Sequence, residues 1–132
     1  MDTFDPRHRE AVDRFNRGDY FEAHDAWEEL WNEAPERERG FYQGLIQVAT
    51  ALHHMTIGNM RGARLLHGSA HELLAPYGDT HGGVDLNTLR AQFDAALDGI
   101  LTRPLDALAG RGRPDLFKIP LTAERRFTIV LR

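Results

Sequence analysis

Apolar residues recur every three or four positions along most of this chain, which is the spacing of helices that bury one face. Proline, glycine and acidic capping residues divide the pattern into five segments joined by short loops. The predicted helices span about Pro6 to Arg17, Tyr20 to Ala34, Pro35 to Gly58, Met60 to Ala75, and a fifth segment that follows Asp85. The predicted fold class is therefore all-α, a compact single-domain bundle of about five helices with an irregular C-terminal tail.

The tail begins where the helical pattern weakens. Three prolines and two glycines interrupt residues 103–132, although apolar side chains continue to the end. We predict a helical bundle domain over residues 1–102 and a proline-interrupted tail over residues 103–132 that packs on the bundle or on a partner. The last residues, FTIVLR, are apolar and β-prone, so self-association through this segment is a further expectation. The sequence GDTHGG, between the fourth and fifth segments, is predicted as loop.

The third predicted helix is unusual because most of its length carries no charged residue. No Asp, Glu, Lys or Arg occurs over residues 40–60, although 27% of the chain is charged. At about 100° per residue, four polar side chains fall on one narrow stripe of this helix: Gln43, Gln47, Thr50 and His54. An unpaired buried polar group costs about 1 to 3 kcal/mol, so this stripe requires hydrogen-bond partners.

The second helix offers His24 and Glu28, which project side by side because they are four residues apart. Packed against the polar stripe, they form a semi-buried cluster with three interpretations. It is a hydrogen-bond network that fixes helix register, a pocket for a small polar ligand, or a divalent-metal site with His24, Glu28 and His54 as ligands. A metal site would favour a metal-dependent hydrolase. Without metal, Glu28 beside His24 supplies a proton donor and an acceptor.

The other histidines carry weaker signals. His67 and His71 repeat the four-residue spacing on the fourth helix, but no further converging ligand is evident, so a solvated pair is predicted. His53 projects about a third of a turn away from His54 and is predicted to lie at the core edge or an interface.

Charge and composition narrow the classes of partner. The 16 basic and 20 acidic residues give a formal net charge of -4 without a dense basic patch, so nucleic-acid binding is not expected. The absence of cysteine excludes disulfides and thiolate zinc sites. The charged first residues lack the apolar core of a signal peptide, so a cytoplasmic location is expected. The charge-free segment over residues 40–60 is too rich in Gln, His and Asn to span a membrane.

Three stretches resemble a known bacterial family, domain of unknown function 309: FNRGDYFEAHDAWEELW, GFYQGLIQVATALHHMTIGNMRGA and VDLNTL. The resemblance implies a compact all-helical fold and a cytoplasmic bacterial protein, without an established activity. The positions that match the family pattern are His24, Glu28, Trp31, Gln43, Gln47, His54 and Asn59. With Thr50, they make up the predicted ligand or polar cluster. His67, His71 and the tail lie outside the pattern.

The sequence therefore favours a non-enzymatic binding or interaction module, with a metal-dependent hydrolase as the alternative. Neither spacing nor composition identifies the ligand, the substrate or the metal.

Overall fold

Five α-helices account for most of the computed structural model, which describes residues 4–132. They are α1 (Pro6–Asn16), α2 (Tyr20–Glu33), α3 (Glu36–Thr56), α4 (Met60–Leu74) and α5 (Leu86–Ala96). The all-α prediction is confirmed, and each of the first four helices ends slightly before its predicted boundary. None of the helices in this part of the chain combines the length and the apolar content that crossing a membrane requires.

The centre of the bundle is α3, which packs against both α2 and α4, while α1 packs against α2. Gly44 permits the close approach of α3 and α4, because a Cβ atom there would lie 2.6 Å from Leu74 Cγ. All five helices contribute large side chains that are fully buried, among them Phe15, Trp27, Phe41, Leu74 and Phe93. A single core therefore runs through the bundle.

A buried histidine joins α1 and α2 to the segment that follows α4. His8 is 2% exposed, and its Nδ1 accepts a hydrogen bond from the Trp27 indole at 2.9 Å. Because Nδ1 is the acceptor, the ring proton sits on Nε2, which donates to the Gly82 carbonyl at 2.9 Å. The sequence pattern contains no sign of this role for His8.

The segment predicted as loop between α4 and α5 contains a short antiparallel hairpin, so that prediction was wrong in part. Its strands are β1 (Thr80–His81) and β2 (Val84–Asp85). Gly82 and Gly83 connect them with φ values of 56° and 75°, in the left-handed region that glycine enters without strain. A side chain at Gly82 would also meet the Phe41 ring at 2.7 Å.

Residues 103–132 lie along the bundle and add to its core. The buried side chains of this tail are Leu108, Ala109, Leu121, Phe127 and Ile129. The Asn16 amide of α1 holds the end of the tail at two points. Its Oδ1 accepts from the Ile129 backbone N–H at 2.7 Å, and its Nδ2 donates to the Ile129 carbonyl at 2.8 Å. The contact of FTIVLR with its own bundle accounts for the burial of Phe127 and Ile129 without self-association.

We expect His8→Phe to lower the free energy of unfolding by about 2 to 4 kcal/mol, because it leaves the Trp27 N–H and the Gly82 carbonyl without their partner. Chemical denaturation followed by circular dichroism measures the change. The matched control is His53→Phe, since the His53 ring has no hydrogen-bond acceptor within residues 4–132; it should change stability by less than about 1 kcal/mol. Equal losses in the two variants would contradict this role of His8.

We expect Asn16→Ala to lower the free energy of unfolding by about 1 to 2 kcal/mol, because two hydrogen bonds to the tail are lost. The control is Asn87→Ala, at an exposed position whose side chain makes no hydrogen bond in the described chain. Urea denaturation of both variants tests the anchor, and no difference between them would argue against it.

Candidate functional site

A groove of about 190 Å³ opens at the surface between α2 and α3. It is lined by side chains from three parts of the chain: Phe21 and His24 of α2, Thr50, His53 and His54 of α3 with Ile57 just beyond, and Arg111 of the tail. Three members of the predicted polar cluster, His24, Thr50 and His54, therefore line one groove. His53, which is predicted to lie at the core edge or an interface, is half-buried and lines the same groove.

Carboxylates of its own helix hold His24. The ring Nδ1 lies 3.0 Å from Asp25 Oδ1, and Nε2 lies 3.1 Å from Glu28 Oε2. The ring centre of Phe21 is 5.7 Å from that of His24. Because both nitrogens already face carboxylates of α2, His24 serves the groove as an aromatic wall.

The Asn59 side chain orients His54. Asn59 Oδ1 accepts a hydrogen bond from the Gly62 backbone N–H at 3.0 Å and thereby caps α4. Its Nδ2 then faces His54 Nδ1 and donates a long hydrogen bond of 3.4 Å. The proton of the neutral His54 ring therefore sits on Nε2, where no acceptor lies within residues 4–132.

Burial lowers the pKa of His54 below its ordinary value, and the charges of His53 and Arg111 lower it further. The structure thus favours the neutral ring, with its donor at Nε2. Thr50 differs, because its hydroxyl already donates to the Ile46 carbonyl at 2.8 Å and has only acceptor capacity left.

Arg111 reaches the groove from the tip of a turn in the tail. The backbones of Gly110 and Arg113 bridge each other across this turn. Next to it, the Ala109 carbonyl accepts from the Arg61 N–H in the first turn of α4 at 3.0 Å. The turn is therefore docked on the start of α4. No carboxylate of residues 4–132 lies within ion-pair distance of the Arg111 guanidinium.

Two exposed apolar side chains flank these polar groups. Phe21 is 54% exposed and Ile57 is 56% exposed. The Phe21 ring centre lies 5.6 Å from that of His53. Apolar walls beside a few polar groups are typical of small-molecule sites.

Five members of the predicted cluster lie outside the groove: Glu28, Trp31, Gln43, Gln47 and Asn59. Glu28 lines a separate acidic groove along α1 and α2. Trp31 is half-buried beneath Arg39, whose Cζ lies 4.3 Å from the ring centre. Gln43 and Gln47 are half-buried on α3, and Gln47 Oε1 is buried without a hydrogen-bond partner among residues 4–132.

The hydrogen-bond network expected between α2 and α3 is not formed. His24 pairs within α2, Thr50 pairs within α3, and His54 pairs with the residue that caps α4. In the chain from residue 4 onward, no hydrogen bond joins a polar side chain of α2 to one of α3. The physical reason is that acceptors within about one turn pair these groups locally.

The predicted metal ligands His24, Glu28 and His54 do not converge. Among residues 4–132, only His67, His71 and Asp94 form a group of three such side chains with ligand atoms all within 4.8 Å of one another. The arrangement therefore gives no support to a metal-dependent hydrolase built on the predicted set. The expectation that His67 and His71 are a solvated pair was wrong, because Asp94 binds both rings.

Arg111 and Asp94 were missed at the sequence level. The glycines on either side of Arg111 are consistent with a turn but say nothing about where the turn docks. Asp94 lies on the polar side of the apolar stripe of α5, as many exposed carboxylates do. Each meets its partners only through tertiary packing, which helical periodicity does not encode.

The family model DUF309, a domain of unknown function, matches residues 8–66, from within α1 to within α4. Residues 8–66 of this chain are therefore similar to DUF309. The resemblance seen in the sequence is thereby confirmed. Every residue that lines the groove, except Arg111, lies within this DUF309 match.

Two curated relatives of this chain come from bacteria, and both are described as uncharacterized. This chain is similar to an uncharacterized protein of Aquifex aeolicus (strain VF5), with 32% identity over 90 residues. The match covers 67% of this chain and 27% of that protein. The chain is also similar to the uncharacterized protein YpuF of Bacillus subtilis (strain 168), with 45% identity over 49 residues, covering 36% of this chain and 28% of YpuF. The chain thus spans little more than a quarter of the length of the curated relatives it matches.

We expect an NMR titration of the histidine rings to give His54 a pKa below the ordinary value of about 6.5. Arg111→Gln removes a nearby positive charge and should raise the pKa of His54, whereas Arg113→Gln, outside the groove, should leave it unchanged. A pKa that is lower in the folded than in the unfolded chain means that His54 stabilises the fold above about pH 6.5 and that this contribution is lost as the pH falls through the folded pKa. A pKa of His54 at the ordinary value would contradict the inferred burial.

Proposed function

We propose that this chain is a non-enzymatic binding module that holds a small organic anion in the groove between α2 and α3. The observation that carries the proposal is the Arg111 guanidinium, which lines a groove and meets no carboxylate of residues 4–132. An arginine presents several N–H donors in a planar fork that matches a carboxylate or a phosphate group. An anionic group is the ligand chemistry that this side chain fits best.

The imidazoles of His53 and His54 also favour an anionic ligand. His54 presents its Nε2–H, because Asn59 occupies Nδ1. The His53 ring has no hydrogen-bond acceptor in the described chain. Together with Arg111, these rings give the groove three donor groups that no acceptor of residues 4–132 satisfies. An anion supplies the missing acceptors.

The size and the walls of the groove indicate the rest of the ligand. Sites for drug-sized molecules enclose about 300 to 1,000 Å³, whereas this groove encloses about 190 Å³. The exposed side chains of Phe21 and Ile57 provide apolar contact beside the donors. A carboxylate on a short aliphatic chain or a single aromatic ring therefore fits both the volume and the chemistry.

The groove contains no activated nucleophile, which is why a binding role is favoured over catalysis. Thr50 is the hydroxyl side chain in the groove, and its proton is directed to the Ile46 carbonyl. The nitrogens of His24 face carboxylates on its own helix rather than the Thr50 hydroxyl. No base is therefore placed to activate a nucleophile here.

The proposal is tested by titrating the protein with acetate, butanoate and phenylacetate while recording its NMR signals. We expect phenylacetate to shift the signals of His53, His54 and Ile57. Phenylacetamide, which has nearly the same shape without the charge, should bind at least about tenfold more weakly, because a charge-assisted hydrogen bond contributes about 1.5 to 3 kcal/mol.

The matched pair of variants is Arg111→Gln in the groove and Arg113→Gln two residues away. Arg111→Gln should weaken phenylacetate binding about tenfold or more, and Arg113→Gln should leave it unchanged. Equal weakening in both variants, or failure of all three carboxylates to bind, would overturn the proposal. Signals of Phe21 and Ile57 that change with protein concentration alone would assign the groove to a second copy of the chain instead.

A further inference from the structure

A second group of chemically active side chains lies on α4 and α5, apart from the groove. His67 and His71 are four residues apart on α4, and both rings direct Nε2 toward one oxygen of Asp94 on α5. The distances from Asp94 Oδ1 are 2.7 Å to His67 Nε2 and 2.8 Å to His71 Nε2. Two nitrogen donors and a carboxylate from two helices therefore meet at one point.

The apolar ring of Phe93 holds both imidazoles in place. Its centre lies 4.6 Å from that of His67, and the His71 ring is stacked nearly parallel to it at 6.0 Å. The side chains of His67, His71 and Asp94 are 13%, 29% and 52% exposed. The two rings are thus oriented by packing, while the carboxylate is open to solvent.

We propose that His67 Nε2, His71 Nε2 and the Asp94 carboxylate bind a Zn²⁺ ion. Zinc accepts imidazole nitrogen and carboxylate oxygen at about 2.0 to 2.2 Å, and three protein ligands leave a fourth position for water. Magnesium and calcium prefer sites made of oxygen ligands alone, so the two imidazoles select against them.

The two distances between Asp94 and the imidazole nitrogens have to lengthen slightly to receive the ion. Tetrahedral bonds of about 2.0 to 2.1 Å place neighbouring ligand atoms about 3.3 Å apart. The observed separations of 2.7 and 2.8 Å are shorter, so Asp94 has to withdraw by about half an ångström. Its side chain is half-exposed and free of other hydrogen bonds in the described chain, which permits this movement.

The proton balance of binding is simple. In the metal-free cluster each neutral ring donates its Nε2 proton to Asp94. Zinc needs the lone pair at Nε2, so each ring transfers that proton through solvent to its own Nδ1 and stays neutral. No protein acceptor within residues 4–132 meets either Nδ1, so water takes these hydrogen bonds.

The site links α4 to α5 and does not depend on the proposed anion groove. His67, His71 and Asp94 all lie beyond residues 8–66, the part that matches the family model. A zinc ion here joins α5 to the helices that the family model matches. Binding of the ion to the folded chain alone therefore raises the thermal stability of the whole protein.

The test is equilibrium dialysis of the full chain, purified with chelator and then freed of it, against ZnCl₂. We expect one Zn²⁺ per chain and a higher melting temperature on saturation. Asp94→Asn keeps an oxygen that accepts from both rings but removes the charge, so the fold should persist. The affinity for Zn²⁺ should fall at least about tenfold. Loss of a residue that only supports a metal ligand already costs about that much, and Asp94 is a proposed ligand itself.

Asp98→Asn is the matched control, because Asp98 is an exposed carboxylate one turn further along from Asp94 and outside the cluster. It should bind zinc as the natural chain does. Cobalt provides a second readout, since tetrahedral Co²⁺ on these ligands gives visible absorption that Asp94→Asn should lose. Zinc affinity that is unchanged in Asp94→Asn, or lost in His24→Gln instead, would overturn the proposal.

Discussion

The hydrogen-bond chain from Trp27 through His8 to Gly82 is the constraint on which the rest of the arrangement depends. The Trp27 side chain is fully buried, and its N–H has to find an acceptor because an unpaired buried donor is costly. His8 provides that acceptor. Its second ring nitrogen donates to the Gly82 carbonyl, so the same side chain also fixes the position of the hairpin. Once the rotation of α2 about its axis is set by Trp27, His24 is directed to the edge of the core, because it lies three residues earlier on the same helix.

The polar side chains along one stripe of α3 do not form a buried hydrogen-bond network with α2. Thr50 pairs with its own helix and His54 pairs with the Asn59 cap, so neither crosses to α2. Local pairing leaves the space between the two helices open, with unused donors at its rim. Hydrogen bonds from these residues to α2 would have closed the interface between the two helices. Because the residues pair locally instead, a concavity remains there.

Helical periodicity and capping residues were sufficient to predict the five helices, and they named three of the residues that line the groove, His24, Thr50 and His54. They also predicted the contact of His24 with Glu28, because the four-residue spacing is a local property. They could not predict that Glu28 lies outside the groove or that His53 lies inside it. Those outcomes depend on how far α2 is rotated and on a crossing of helices that one-dimensional spacing does not specify. Arg111 and Asp94 depend on still longer-range packing, of the tail against α4 and of α5 against α4.

Two parts of the chain form the groove. One part supplies its shape, and the other supplies its positive charge. The walls and imidazoles come from the portion that matches the family model, whereas the guanidinium comes from a turn in the tail. In the proposed binding role, a change confined to that turn would alter the charge that the groove prefers, because Arg111 supplies the guanidinium. Under that proposal, the selectivity of the groove would change with little loss of folding stability, since Arg111 is exposed and lies outside the buried core.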